Sequence, residues 1–277
     1  MRHGVKDDII KGNFTSESRL RLDLKERIMT QNGVFLCRQM LLVTLLGVAI
    51  SKAVCFADTL ELIRKIPHSG YSEGLDFYEG FLWHALPKQL LKIDPKDGTI
   101  LSRLVPSSDY SESLTWFQGA LWNLSFSNNG IYRGVLNSKG ELKFQKKGET
   151  PEVHGWGLAH NGNELILTGD FSSKLYFLNP KTLKLIRTLE TQGKDLEDLA
   201  WDGQFIWSSS FTTEKGKIFA IDPKTGKIMG FFALPDESCP VIDGIAYDGK
   251  SFWITGKECP SIYYVKKPSL RSISSRK

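Results

Sequence analysis

The chain has 277 residues, 41% hydrophobic and 24% charged, which is long and apolar enough for a sizeable folded core. Its formal net charge is +5, but the excess lies at the two ends. Residues 1–57 hold nine Lys/Arg against five Asp/Glu, and the chain from Val265 onward holds five basic residues and no acid. The body between carries 22 basic against 26 acidic residues, which argues against a basic face for nucleic acid.

In chain order, residues 1–28 are polar and charged, and "MLLVTLLGVAI" follows at 40–50. Arg38 precedes that apolar run and "CFA" at 55–57 follows it. The pattern predicts a secretory signal over 29–57, cleaved after Ala57, with the true start at Met29 and 1–28 a mis-called extension. The alternative is an uncleaved anchor, although the run is shorter than the roughly 20 residues of a membrane span. A lipoprotein site at Cys55 is disfavoured by Lys52. The expected location is periplasmic or secreted. Cys37 and Cys55 leave with the signal. Cys239 and Cys259 remain, and an oxidising compartment would join them. Without a nearby histidine cluster they make a poor zinc site.

From residue 58 the chain repeats. Five units read "YSEGLDFYEGFLW" from Tyr71, "YSESLTWFQGALW" from Tyr110, "VHGWGLAHNGNELIL" from Val153, "DLEDLAWDGQFIW" from Asp195 and "VIDGIAYDGKSFW" from Val241. Each has an apolar run, a dipeptide ending in glycine, and a second apolar run. Such dipeptides, Glu79-Gly80 to Asp248-Gly249, predict two-residue hairpin turns. The first four units continue with a third strand and a second turn, as in "KIFAIDPKTGKIM" at 217–229. Four strands per unit at this period predict a propeller blade. The last unit stops three strands in, after "SIYYVKK", and "TLELIRKI" at 59–66 can supply the fourth. The fold expected is therefore all-β, a five-bladed propeller over 58–267, with the ring closed by an N-terminal strand that completes the last blade. Residues 268–277 form a basic tail expected to be disordered.

In a propeller the innermost strand of each blade lines the axis, and the loop entering it opens on one face. Glu73, Glu112, Trp156, Glu197/Asp198 and Asp243 should therefore ring one mouth. Carboxylates gathered there repel one another unless a cation compensates, and Lys257 is the candidate. Such a mouth suits acid/base chemistry or a metal. The plainer reading is that each acid caps strand-head amides and faces water. Recurrence at equivalent positions favours a site for the set.

These motifs resemble the bacterial and plant type of glutamine cyclotransferase (glutaminyl-peptide cyclotransferase). "YSEGL", "YSESLT", "GWGL", "LEDLAW" and "DGIAYD" look like its blade heads, and "TGKECP" at 255–260 looks like its T-G-K-x-W-P. The resemblance covers nearly all of 58–267. It implies a five-bladed propeller that turns an N-terminal glutamine into pyroglutamate with release of ammonia, needing no cofactor and no metal. By position it implies Glu112 and Lys257 as catalytic residues. It implies Tyr71, Glu73, Phe126, Trp156, Glu197 and Phe211 as substrate-binding residues. The expected partner is a peptide or protein N-terminus, the expected state a monomer, with no stable membrane span once the signal is cleaved. Departures keep a second reading open, a propeller that binds a peptide or protein without chemistry. The family's E-S-T-G segment is replaced by "WHALPK" at 83–88, with His84 at the glutamate's place. Two rim tryptophans become Phe126 and Phe211, and the tryptophan of the lysine motif becomes Cys259. A metal-dependent lactonase-like hydrolase is a third reading, weakened by a count of five blades rather than six.

Overall fold

The computed structural model describes residues 58–270 except Ser69 and Val153. The expected signal over 29–57 and the extension before it lie outside the described residues, as do 271–277 of the tail. The described chain is all strands and turns, in five sheets. Among the described residues no helix is long and apolar enough to cross a membrane.

Each sheet is one blade. The innermost strands are Leu75–Tyr78, Ser111–Phe117, Gly155–His160, Leu196–Trp201 and Val241–Tyr247. Each packs beside the next, and the fifth packs beside the first, so the ring is closed. The inner two strands of a blade are wedged between neighbours and are buried on both faces, as Ser111–Phe117 and Ala120–Ser125 are throughout. Hence their near-continuous apolar runs. Outer strands such as Leu185–Glu190 alternate toward solvent.

The core is five wedges, one per seam. Trp83, Leu114 and Trp116 fill the seam of blades 1 and 2, and Trp122 and Leu158 that of blades 2 and 3. Phe177 and Leu199 fill the seam of blades 3 and 4, Trp207 and Phe252 that of blades 4 and 5, and Leu75 and Trp253 that of blades 5 and 1. Full burial of each such side chain stabilises the fold by about 1.5–3 kcal/mol. Flat rings suit a seam because sheets splay radially and leave tapered gaps.

Closure uses more of the N-terminal segment than the repeat count suggests. Leu62–Pro67 pairs antiparallel with Ser261–Lys266 and completes blade 5. Before it, Asp58–Thr59 pairs in parallel with Phe232–Ala233 at the outer edge of blade 4, and Leu60 is buried in the seam between the two blades. At the other end, Leu270 packs against that same seam, so the tail is anchored at least to that residue.

Turn chemistry departs from expectation in three blades. Glu79-Gly80 and Gln118-Gly119 are two-residue turns with both residues at positive φ. In blades 3, 4 and 5 the first turn is wider. Asn161, Asp202 and Asp248 bond backbone to backbone with Glu164, Phe205 and Ser251, and their side-chain Oδ1 atoms accept from the amides two and three residues on. The Asx side chain caps the loop, so only the glycine needs positive φ.

Candidate active site at the mouth of the ring

The mouth is built from one repeated position. Strand heads place Glu73, Glu112, Trp156, Glu197 and Asp243 at equivalent points of the five blades, and all five are buried. The next residue in each blade faces the axis. It is Gly74, Ser113, Gly157, Asp198 and Gly244. The glycines are required by close approach: a Cβ at Gly157 would collide with the Glu197 carbonyl oxygen, and one at Gly74 would lie 2.6 Å from Ser113 Cα.

Asp198 ties the ring together. Its Oδ2 accepts from the backbone N–H of Leu75 at 3.1 Å and of Ile245 at 3.0 Å, and its Oδ1 accepts from Ser113 Oγ at 2.7 Å. Ser113 Oγ in turn accepts from Leu158 N–H at 3.1 Å. All five blades meet in this one network. Burial pushes the Asp198 carboxyl up to about 8, against the pull of those hydrogen bonds. The repeat alone groups Asp198 with Glu197 at the mouth. The pairing with the next strand slips between Leu196 and Leu199, so this pair sits in an irregular stretch of the ladder, and the hydrogen bonds of Asp198 run across the ring instead. The row Gly/Ser/Gly/Asp/Gly was the available signal.

Lys257, at the end of Ser251–Lys257, is 2% exposed. It pairs with Asp243 and with Glu73, the latter at 3.2 Å. Burial would push its ammonium down, but Asp243, Glu73 and Glu197 outweigh that and hold it well above its usual range. Glu73 also accepts from the Tyr110 hydroxyl. Burial raises the Tyr110 phenol, and the charges of Glu73 and Glu112 raise it further. The Tyr71 phenol is raised by burial too, opposed by Lys257 and reinforced by Glu73, Asp243 and Glu112. Glu73 and Glu112 therefore act on both phenols, and Lys257 and Asp243 on Tyr71. Asp243, named on the ring but not among the expected binding residues, is a direct partner of the lysine.

Aromatic rings form the rim. Trp156 meets Phe171 edge to face at 4.6 Å and Phe211 at 5.8 Å. Lys257 Nζ lies 5.5 Å from the Phe211 ring centre and 5.1 Å from that of Tyr71. Phe126 contacts Tyr110 at 5.3 Å and stacks on His154 at 4.5 Å. Cys239 and Cys259 form a disulfide that ties the entry of blade 5 to the segment just after Lys257. His84 is fully buried in edge contact with His68, ring centres 4.7 Å apart.

Acids, a buried lysine and aromatic rings thus converge at one mouth of the five-bladed ring. The profile of the glutamine cyclotransferase family matches residues 40–267, and the chain belongs to that family. Among solved structures it is similar to the glutaminyl cyclase of Myxococcus xanthus, at 18% identity and a TM-score of 0.63, covering 76% of this chain and 98% of that one. It is also similar to an aldose sugar dehydrogenase from Streptomyces coelicolor, at 17% identity and a TM-score of 0.49, covering 78% and 83%. Virginiamycin B lyase from Staphylococcus aureus aligns at 17% identity and a TM-score of 0.46, covering 71% and 66%. No curated sequence matches significantly.

Proposed function

We propose that the chain is a glutaminyl-peptide cyclotransferase acting on exported peptide or protein N-termini in the periplasm or outside the cell. The observation that carries this reading is the convergence of Glu112, Glu73, Asp243, Lys257, Tyr71 and Tyr110 under an aromatic rim, in a chain of this family.

The reaction joins the α-amine of an N-terminal glutamine to the carbonyl carbon of its own side-chain amide. A carbon–nitrogen bond forms, the bond to the amide nitrogen breaks, and ammonia leaves. The proton lost by the amine equals the proton the leaving nitrogen must gain, so one carboxylate can carry it across. Glu112 is assigned that transfer. Lys257, fixed by Glu73 and Asp243, supplies a positive field for the oxyanion that develops on the amide oxygen. Tyr71, Glu73, Phe126, Trp156, Glu197 and Phe211 are assigned to hold the glutamine side chain folded toward its own amine, where effective concentration does much of the work.

A second reading, binding without chemistry, is favoured by one feature: at the place of a family glutamate stands His84, a histidine fully buried against His68. Ammonia release from a Gln-initiated dipeptide separates the two. The cyclotransferase reading expects turnover that falls at least about 100-fold in Glu112→Gln, the usual scale for loss of a general acid/base. No release at micromolar enzyme would leave the binding reading.

A further inference from the structure

Phe171 is an unusual residue for an exposed turn. It lies between the second and third strands of blade 3, and it is 43% exposed. Its φ is +54, and that of Asp170 before it is +48. Two consecutive non-glycine residues in the left-handed region are strained, and such strain persists only where the surroundings enforce it. Here they do. His154 Nδ1 lies 2.8 Å from Asp170 Oδ1, and the His154 backbone N–H donates to Oδ2 at 3.2 Å. Ser172 N–H donates to the Gly169 carbonyl at 2.9 Å and closes the turn.

The strain has a product. It sets the Phe171 ring edge-on against Trp156 at 4.6 Å and 6.1 Å from the Phe211 ring, with much of its surface still open to solvent. Trp156 and Phe211 themselves are buried. The other half-exposed aromatic of the mouth is Tyr71, 41% exposed, with its ring centre 5.1 Å from Lys257 Nζ. The buried Lys257 ammonium, paired with Glu73 and Asp243, lies 5.5 Å from the Phe211 ring that Phe171 faces. A glutamine whose amine and amide reach those buried groups places its next residue one Cα–Cα step, about 3.8 Å, farther out. That step brings the second side chain to the level of the exposed rings.

We propose that Phe171 is a specificity-determining residue that receives the side chain of the second residue of the substrate and favours an aromatic or large apolar one. This rests on the cyclotransferase reading for its orientation. The stacking surface itself does not depend on turnover.

The test compares Gln-Phe-amide with Gln-Gly-amide in the wild-type chain, in Phe171→Ala and in Phe171→Gly. Glycine relieves the left-handed strain, so Phe171→Gly keeps the fold while removing the ring, and its melting temperature should not fall. In parallel, calorimetric titration with pyroglutamyl-Phe-amide and pyroglutamyl-Gly-amide reads binding without chemistry. The expected result is a preference for the phenylalanine peptide of at least tenfold, carried by KM rather than kcat, that drops below threefold in both variants. The product peptides should show the same contrast in Kd. A binding preference abolished in Phe171→Gly with no turnover of either dipeptide would uphold the subsite and sink the cyclotransferase reading. No preference in the wild type by either readout, or a preference that survives Phe171→Gly, would overturn the inference.

Discussion

Removing the Asp198 carboxylate should unlock the ring, and the size of the effect can be worked from its bonds. Asp198→Ala strands three buried groups: the N–H of Leu75, the N–H of Ile245 and the hydroxyl of Ser113. A buried polar group left without a partner costs about 1–3 kcal/mol. Partial collapse or an entering water would recover some of it, so a loss of about 3–6 kcal/mol is expected. At about 2–4 °C per kcal/mol for a domain of this size, the melting temperature should fall by roughly 10–20 °C. Asp198→Asn should behave differently. The wild-type carboxyl is raised to about 8 and is largely neutral at pH 7, and the amide copies its shape and neutrality. Its cost at pH 6–7 should stay below about 2 kcal/mol, near that of one ordinary hydrogen bond. The pH dependence has a fixed sign. A raised folded-state value gives stability that is complete below about 4 and lost as pH rises through about 8. The wild type should therefore weaken relative to Asp198→Asn between pH 5 and 9. Urea unfolding at several pH values reads all three quantities. If Asp198→Asn were as damaging as Asp198→Ala at pH 6, the carboxylate would be charged in the fold and this account would be wrong.

Three further outcomes follow from the buried charges and the bridge at the mouth. Lys257→Met leaves Glu73 and Asp243 buried without their cation, and should cost about 3–5 kcal/mol, with part restored by adding Glu73→Gln; equal damage in the single and double variants would refute the ion-pair assignment. Burial lowers His68 and places His84 well below its usual value, so the fold binds fewer protons than the unfolded chain and should lose stability as pH drops below about 6.5. A melting temperature that falls between pH 7.5 and 5, and falls less in His84→Leu, is the expected record. Reduction of the Cys239–Cys259 bridge, which spans 20 residues, should lower stability by about 3 kcal/mol, read by unfolding with and without reductant.

The ring was legible because its signals are local and repeated. Apolar runs broken by Glu79-Gly80 or Gln118-Gly119 announce hairpins, and five such units leave one strand missing for the N-terminal segment to supply. The mouth was legible through the same periodicity, which puts Glu73, Glu112, Trp156, Glu197 and Asp243 in register. What stayed hidden depends on distances across the ring. Nothing local to "LEDLAW" says that Asp198 reaches strands more than 40 residues away on either side. Nothing in "TGDFSS" says that Asp170 and Phe171 turn left-handed, because neither is a residue type that demands it. The pairing of Lys257 with Glu73 and Asp243 was likewise one of several choices a crowded mouth offers, and only geometry selects among them. The wider turns of blades 3 to 5 were missed because Asn-Gly and Asp-Gly serve two turn lengths, and the amides captured by the Asx side chain decide which.

The strap that begins at Asp58 sets the order of assembly. Leu62 meets Val265 and Thr59 meets Ala233, so the earliest-made strands of the ring wait for partners in the last two blades. Until about 200 further residues have emerged, Leu62–Pro67 can only hang free or borrow another chain's edge. Maturation of this protein is thus paced by its final blade, and a chain truncated before Ser261 would carry two hungry edges instead of a sealed circle.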